Sequence, residues 1–233
     1  MRINSIIKHL NRIIKYRLEL AIPTNSVEKL VERHFKSWSD MNHVNFQLFN
    51  LLGRELGGKP AFIVETGTSA WGTDSTRFWN SYVSKYGGRV ISVDIRPNAG
   101  VQLKYQLNKR TQLVTCDSVQ YLRENQHKNV SLYYFDSADV DWSLPDFAIK
   151  HGLEETLAVI ENLKSGTIVV FDDTPKNQEF VEEHLRETVK KFHESKGFFP
   201  GKGPLAIKAL QEKYKIEVLH HEYSFACKIL SRI

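Results

Sequence analysis

The feature that most constrains this chain is the run Phe62-Ile63-Val64-Glu65-Thr66-Gly67-Thr68-Ser69-Ala70-Trp71-Gly72-Thr73-Asp74-Ser75-Thr76. An apolar strand ends in a carboxylate, and a glycine-bearing turn then opens into a helix. Such a turn leaves backbone N–H groups free at a helix N-terminus, where a polar ligand can sit. Glycine lets the chain turn sharply and lets a ligand approach where a Cβ would block it. A second strand, Arg89-Val90-Ile91-Ser92-Val93-Asp94, ends in Asp94 about twenty residues past the turn, where a carboxylate gripping ribose hydroxyls is expected. Together the two segments point to a nucleoside-type ligand. The alternative for Asp94 is a plain turn aspartate, since Ile95-Arg96-Pro97 follows it.

From Pro60 onward the pattern alternates strand and helix. Strands are predicted at 61–66, 89–94, 110–115, 130–136 and 166–172, and helices at 74–86, 99–108, 117–127, 151–164 and 176–196. Alternation of this kind means a parallel sheet with helices on both faces, a doubly wound α/β fold. The tail differs. Segments 215–221 and 225–230 lie too close together for a crossover helix, so they should form an antiparallel hairpin. His220 and His221 then belong to that hairpin, without metal-type spacing.

Residues 1–58 form a helical extension ahead of a domain spanning 59–233. Ile6, Ile7, Leu10, Ile13, Ile14 and Leu18 recur at helical spacing with Lys8, Arg12, Lys15 and Arg17 between them. This amphipathic basic helix can pack on its own domain or a second copy, or lie on an anionic membrane surface. Asn25-x-x-Glu28 resembles a capping box for a helix running to Trp38, and a third helix from about His43 stops at Gly57-Gly58. The net charge of +5 is concentrated here, because residues 1–20 hold five basic groups and one acid. The body therefore carries about +1 and is not a nucleic-acid-binding surface. Cys116 and Cys227 show no metal-type spacing and are read as buried free thiols in a reducing, cytoplasmic setting.

Five parallel strands closed by an antiparallel last strand resemble the class I S-adenosylmethionine-dependent methyltransferases, over residues 60–231. Val64-Glu65-Thr66-Gly67 looks like that family's first motif, Asp94 like its ribose acid, Cys116-Asp117-Ser118 like its adenine motif, and Phe135-Asp136 like the position bordering the transferred methyl group. The resemblance implies S-adenosylmethionine as cofactor. It implies contacts from Glu65, Gly67, Thr68, Ser69 and Gly72, from Asp94 and Ile95, from Asp117 and Ser118, and from Asp136. Asp117 has a second reading as a helix cap, and Trp71 is read equally as a ligand contact or a plug in the turn.

Ile168 to Thr174 ends the fifth strand with Asp172 and Asp173, and the fourth ends at Asp136, with Asp139 and Asp141 close behind. In a parallel sheet these ends are neighbours, and converging carboxylates repel unless a cation neutralises them. A hard divalent ion such as Mg²⁺ is the natural partner. The pattern is similar to metal-dependent O-methyltransferases of the catechol and macrolide-sugar types, which implies Asp136, Asp172 and Asp173 as ligands and Asp139 as substitute. The chain departs from the catechol type in having no lysine between Asp136 and Lys150. The expected reaction is methylation of a hydroxyl on a sugar or small molecule, with Asp136, Asp139 and His151 as catalytic residues and Asp139 or His151 as the general base. His151 has an alternative reading as an ordinary helix-opening residue. Residues 137–150 and 197–204 are candidate lids, and Lys202 in the second can meet an anionic acceptor or sit in a simple turn. A nicotinamide oxidoreductase is the competing enzyme class, disfavoured by the antiparallel tail and the lack of Gly-x-Gly-x-x-Gly. A non-catalytic nucleoside-binding protein is the third, disfavoured because unused like charges only destabilise.

Overall fold

The computed structural model describes residues 3–24, 26–68, 73–101, 103 and 105–233, with the side chains of the first helix described from Leu10 onward. Three helices come first: α1 (Ile3–Ala21), α2 (Val27–Trp38) and α3 (Phe46–Leu56). They lead into β1 (Ala61–Thr66), α4 (Ser75–Tyr86), β2 (Gly88–Asp94), β3 (Thr111–Thr115), α5 (Ser118–Glu124) and β4 (Leu132–Phe135). The chain continues through α6 (Asp146–Val159), β5 (Ile168–Phe171), α7 (Arg186–Lys196), α8 (Pro204–Lys213), β6 (Tyr214–His221) and β7 (Phe225–Arg232).

The strands form one sheet in the order β3-β2-β1-β4-β5-β7-β6. All neighbours from β3 to β5 are parallel, whereas β7 runs antiparallel to β5 and to β6. Successive side chains of a strand point to opposite faces, and this splits the core in two. Ile63, Val90, Leu132, Tyr134, Val170 and Ala226 face α2, α3 and α4. Val64, Ile91, Tyr133, Phe135, Val169 and Cys227 join the residues of α5 and α8 on the other side. Burial on both faces is why the strands read as unbroken apolar runs rather than alternating ones. Phe35, Phe49 and Leu52 of the N-terminal region are fully buried in the first of these cores.

Four local expectations differ from the structure. Residues 99–108 are expected as a helix, but the described ones, 99–101, 103 and 105–108, form turns and bends, because Pro97 and Gly100 favour turns and Gly100 lies against Leu113. The expected helix 176–196 is two short 3₁₀ turns, 178–180 and 183–185, followed by α7, with Asn177 capping the first turn through Glu179 N. The helix expected at 151–164 begins earlier, at Asp146, so His151 lies inside α6 rather than opening it. Helix α8 has no counterpart in the sequence reading, although Pro204 at its first position is a start signal. Ser26 caps α2 through Lys29 N, and Asn25 of the expected capping box lies outside the described residues. Cys116 sits just past β3 and is half-buried, while Cys227 is buried in β7.

Helix α1 docks through polar and aromatic groups. Tyr16 is 1% exposed, donates to the Arg77 carbonyl at 2.7 Å and receives a bond from Asn80 Nδ2 at 2.8 Å. Its ring meets Trp38 edge-on, and Trp38 Nε1 donates to Glu19 at 2.6 Å. The stripe carrying Leu10, Ile14 and Leu18 remains more than half exposed. Among the described residues no helix is long and apolar enough to cross a membrane. Tyr16→Ala should cost about 3–5 kcal/mol of unfolding free energy, the usual loss for deleting a buried aromatic ring. Chemical denaturation measures this, and an unchanged midpoint would show that α1 is not docked on α4.

Candidate active site

The register of the parallel strands builds the site. Thr66 of β1 pairs with Phe135 of β4, and Phe135 pairs with Phe171 of β5. The next residues therefore emerge side by side: Asp136 N donates to the Thr66 carbonyl and Asp172 N to the Phe135 carbonyl, both at 3.0 Å. The strand order reverses direction between β1 and β4, the place where open α/β sheets hold ligands.

On one side of that switch point lies the Gly67 turn. Gly67 has φ +84° and donates its N–H to the Val93 carbonyl at 2.8 Å. A Cβ there would stand 2.1 Å from the Asp136 carbonyl oxygen, so only glycine lets the turn and the β4 end close up. Glu65 is fully buried, and one of its oxygens accepts from Thr76 Oγ1 and Ser92 Oγ, both at 2.5 Å. Its other oxygen makes no hydrogen bond among the described residues. Burial pushes the Glu65 carboxyl up to about 7, against the pull of its hydroxyl donors.

Asp94 closes β2 and accepts from Thr68 N at 2.9 Å. The Arg96 guanidinium straddles its two oxygens at 2.8 and 3.0 Å. Burial opposes the Asp94 charge, but Arg96 and the backbone donors outweigh it and hold the group below its ordinary value. Ile95 is 66% exposed beside it. Asp117 caps α5 through Gln120 N at 2.9 Å. Ser118 Oγ lies 3.0 Å from His151 Nε2, and the His151 ring also faces Glu155 at 3.6 Å. Glu155 raises the His151 pKa, with burial opposing.

On the other side opens a cleft of about 710 Å³. Asp136, Asp139, Asp172, Asp173, Glu179, Glu182 and Glu222 line it, together with Asn42, His43, Asn45 and Tyr223. Asp172 is saturated: Asn45 Nδ2 bonds both its oxygens at 3.0 Å, Tyr134 OH donates at 2.7 Å, Ser224 Oγ at 2.5 Å and Asp173 N at 2.9 Å. Asp173 accepts from Tyr223 OH at 2.6 Å and from Lys202 Nζ at 2.7 Å. Lys202 Nζ also donates to Asp136 Oδ1. Burial opposes the Lys202 charge, but Asp136, Asp173 and Asp172 outweigh it and keep the ammonium above the ordinary lysine value. Burial raises Asp136 well above the carboxylate range, whereas the nearby Lys202 charge, then the Ser224, Tyr134 and Asn45 donors, overcome burial at Asp172 and hold that group below it.

No protein-family model matches the chain, and no curated protein matches it. Among solved structures it is similar to the MycE methyltransferase from the mycinamycin biosynthetic pathway, solved in complex with Mg, SAH and mycinamycin VI. The two are 13% identical with a TM-score of 0.59 over 89% of this chain and 55% of MycE. It is also similar to a Staphylococcus aureus protein provisionally named a caffeoyl-CoA O-methyltransferase, at 15% identity and TM-score 0.52 over 97% of this chain and 100% of that one. The fold is that of the class I methyltransferases. The chain spans about half the length of MycE.

In this methyltransferase fold Glu65, Gly67, Thr68, Asp94, Ile95, Asp117, Ser118 and Asp136 share the carboxyl edge of the sheet, while Ser69 and Gly72 lie outside the described residues. His151 does not line the cleft but leans on Ser118. Asp139 lines the cleft and is exposed. The acids expected to hold Mg²⁺ are engaged in other bonds in this structure. Asp172 has no oxygen to spare, and Asp136 and Asp173 share the Lys202 ammonium. Among the described residues no group of three or more His, Cys, Asp or Glu is arranged to hold a metal ion. The acids do need a counter-charge, but a lysine 66 residues beyond Asp136 supplies it. Lys202 is 3% exposed, so it does not reach out to an anionic acceptor. Asn45, Tyr134, Tyr223 and Ser224, which satisfy the acids, gave no sequence signal, since polar residues of these types occur everywhere on surfaces.

Glu65 makes stability depend on pH. Its folded-state pKa is raised, so the folded state favours the protonated form. Stability from this group is full below about pH 4.5 and is lost as pH rises through about 7. Glu65→Gln keeps an acceptor and removes the charge, and should gain about 3 kcal/mol on wild type between pH 4.5 and 8. Denaturation at the two pH values measures it, and parallel profiles would contradict the raised value.

Proposed function

We propose that this protein transfers a methyl group from S-adenosylmethionine to a hydroxyl of a sugar or other small acceptor, with Asp136 as proton acceptor. The observation that carries this is the position of Asp136: its backbone closes on the Gly67 turn while its side chain lines the 710 Å³ cleft. The residues suit the cofactor. Glu65 places a buried carboxylate at the end of β1, and Gly67 itself presents no side chain beside it. Glu65 and the Gly67 turn would hold the amino-acid portion, Asp94 the ribose hydroxyls, and Asp117 with Ser118 the adenine. Arg96 must yield part of its grip on Asp94 for this, at small cost because it is 54% exposed.

When bound, the cofactor would supply an electrophilic methyl group on a sulfonium whose sulfur would leave with the carbon–sulfur electron pair as the acceptor oxygen bonds the carbon. The chain's own residues do the rest. Asp136 takes the hydroxyl proton, for which a carboxylate with a raised pKa is a stronger base than an ordinary one. Asp172, held ionised by five donor contacts, keeps the floor of the cleft fixed. His43 Nδ1 accepts from Asn45 N at 3.2 Å, which leaves Nε2–H as a donor for the acceptor molecule. Burial lowers the His43 pKa and favours this neutral form. Seven carboxylates around the cleft disfavour phosphate-bearing acceptors and suit neutral polyols or amines.

Calorimetry with S-adenosylhomocysteine should show binding that falls about tenfold or more in Asp94→Ala, since bonds to a charged acceptor are worth about 1.5–3 kcal/mol. Unchanged affinity in the folded variant would reject the ribose role. Once an acceptor is found, Asp136→Asn should lower kcat by about 10²–10⁴-fold. The wild-type rate should fall with acid at a pH above the ordinary aspartate value, because the ionised form is needed and its pKa is raised. A rate flat through that range would assign the proton to another group.

A further inference from the structure

The strand-end acids form a cation site that the chain fills from within. Lys202 and Asp136 are both more than nine-tenths buried, and Asp173 closes the pair from the other side. A divalent ion shared by Asp136 and Asp173 would have to stand where Nζ stands. The lysine cannot easily withdraw, because its backbone is pinned. Lys202 N donates to the Asp173 carbonyl at 3.2 Å, and Gly203 N donates to Thr174 Oγ1 at 2.9 Å. Thr174 Oγ1 in turn donates to the Asp172 carbonyl at 2.9 Å. Gly201 has φ +149°, and a Cβ on it would lie 2.3 Å from the Asp173 carbonyl oxygen. A Cβ on Gly152 of α6 would lie 2.1 Å from the Lys202 carbonyl oxygen. Glycine-only approaches thus press this loop between β5 and α6.

We infer that Lys202 is a resident cation taking the place of a divalent metal among Asp136, Asp172 and Asp173, so that the cleft serves acceptors presenting a single hydroxyl rather than a chelating pair of oxygens. The acceptor clause rests on the methyl-transfer reading; the cation clause stands without it. Lys202 lies beneath the cleft and acts through Asp136 and Asp173, which makes it a positioning residue. A metal would hold two neighbouring acceptor oxygens and lower the pKa of one. An ammonium locked behind the acids cannot chelate, so acceptor orientation falls to the cleft walls and the proton to an uncoordinated carboxylate.

The test is Mn²⁺ binding followed by electron paramagnetic resonance on wild type, Lys202→Ala, Lys202→Met and the double variant Lys202→Ala/Asp136→Asn. Wild type should bind no Mn²⁺ at this site, and its melting temperature should not move with the ion. Lys202→Ala should gain one bound Mn²⁺, at least about tenfold tighter than any wild-type binding, with a rise in melting temperature. Adding Asp136→Asn should remove the gain. If Lys202→Ala does not fold, Lys202→Met preserves the stem and removes the charge, and is expected to gain the ion in the same way. Stoichiometric Mn²⁺ on wild type that Asp136→Asn abolishes would overturn the inference, as would folded lysine variants that gain nothing. Loss of S-adenosylhomocysteine binding across the series, with the Mn²⁺ pattern intact, would count against methyl transfer and leave the cation assignment standing.

Discussion

The buried ammonium of Lys202 between Asp136 and Asp173 is the constraint on which this edge of the sheet depends. Parallel register delivers Asp136 and Asp172 to adjacent positions whatever their charge, because the strands pair by backbone. Carboxylates brought together away from water need compensation, and removing one partner of a buried pair costs about 3–5 kcal/mol. Lys202 answers that need in a place where water cannot. The loop that carries it is therefore packed like core, with Gly152 of α6 beneath it and β5 beside it.

Neighbouring acids of the same chemistry end up in different states. Asp172 is surrounded by Asn45, Tyr134, Ser224 and the Asp173 backbone, and is held as a carboxylate. Asp136 is just as buried but has Lys202 alone as a side-chain partner among the described residues, and its affinity for a proton is higher. Separation of this kind assigns roles: one acid as fixed structure, the other as proton acceptor. Asn45 ties the helical N-terminal region to the same floor, since its Nδ2 bonds Asp172 and its Oδ1 lies 2.8 Å from Ser224 Oγ. The loop before α3 is thus part of the cleft wall.

The sheet was legible because its signals are local. Apolar runs ending in Glu65, Asp94 and Asp136, with glycines and short gaps between, mark the strands and the antiparallel tail to within a residue or two. The carboxyl edge followed from topology. What escaped was every contact made over a long sequence distance: Asn45 to Asp172, Lys202 to Asp136, Ser224 to Asp172. Sequence counts charges without placing them, so the need for a cation was visible while its source was not. Lys202 stood out only as a lysine in Gly201-Lys202-Gly203-Pro204, and the glycines that flag a turn also mark a close approach. Helix α8 was missed because a glycine- and proline-rich stretch reads as loop until Pro204 is taken as its first residue.

The most direct test of the account is a crystal structure grown with S-adenosylhomocysteine and excess Mg²⁺. The ligand is expected between the Gly67 turn and Asp94, its sulfur on the Asp136 side, with Lys202 Nζ still bridging Asp136 and Asp173 and no ion among the acids. An octahedral ion on Asp136, Asp172 and Asp173 with Lys202 displaced, or a ligand seated elsewhere on the sheet, would contradict it.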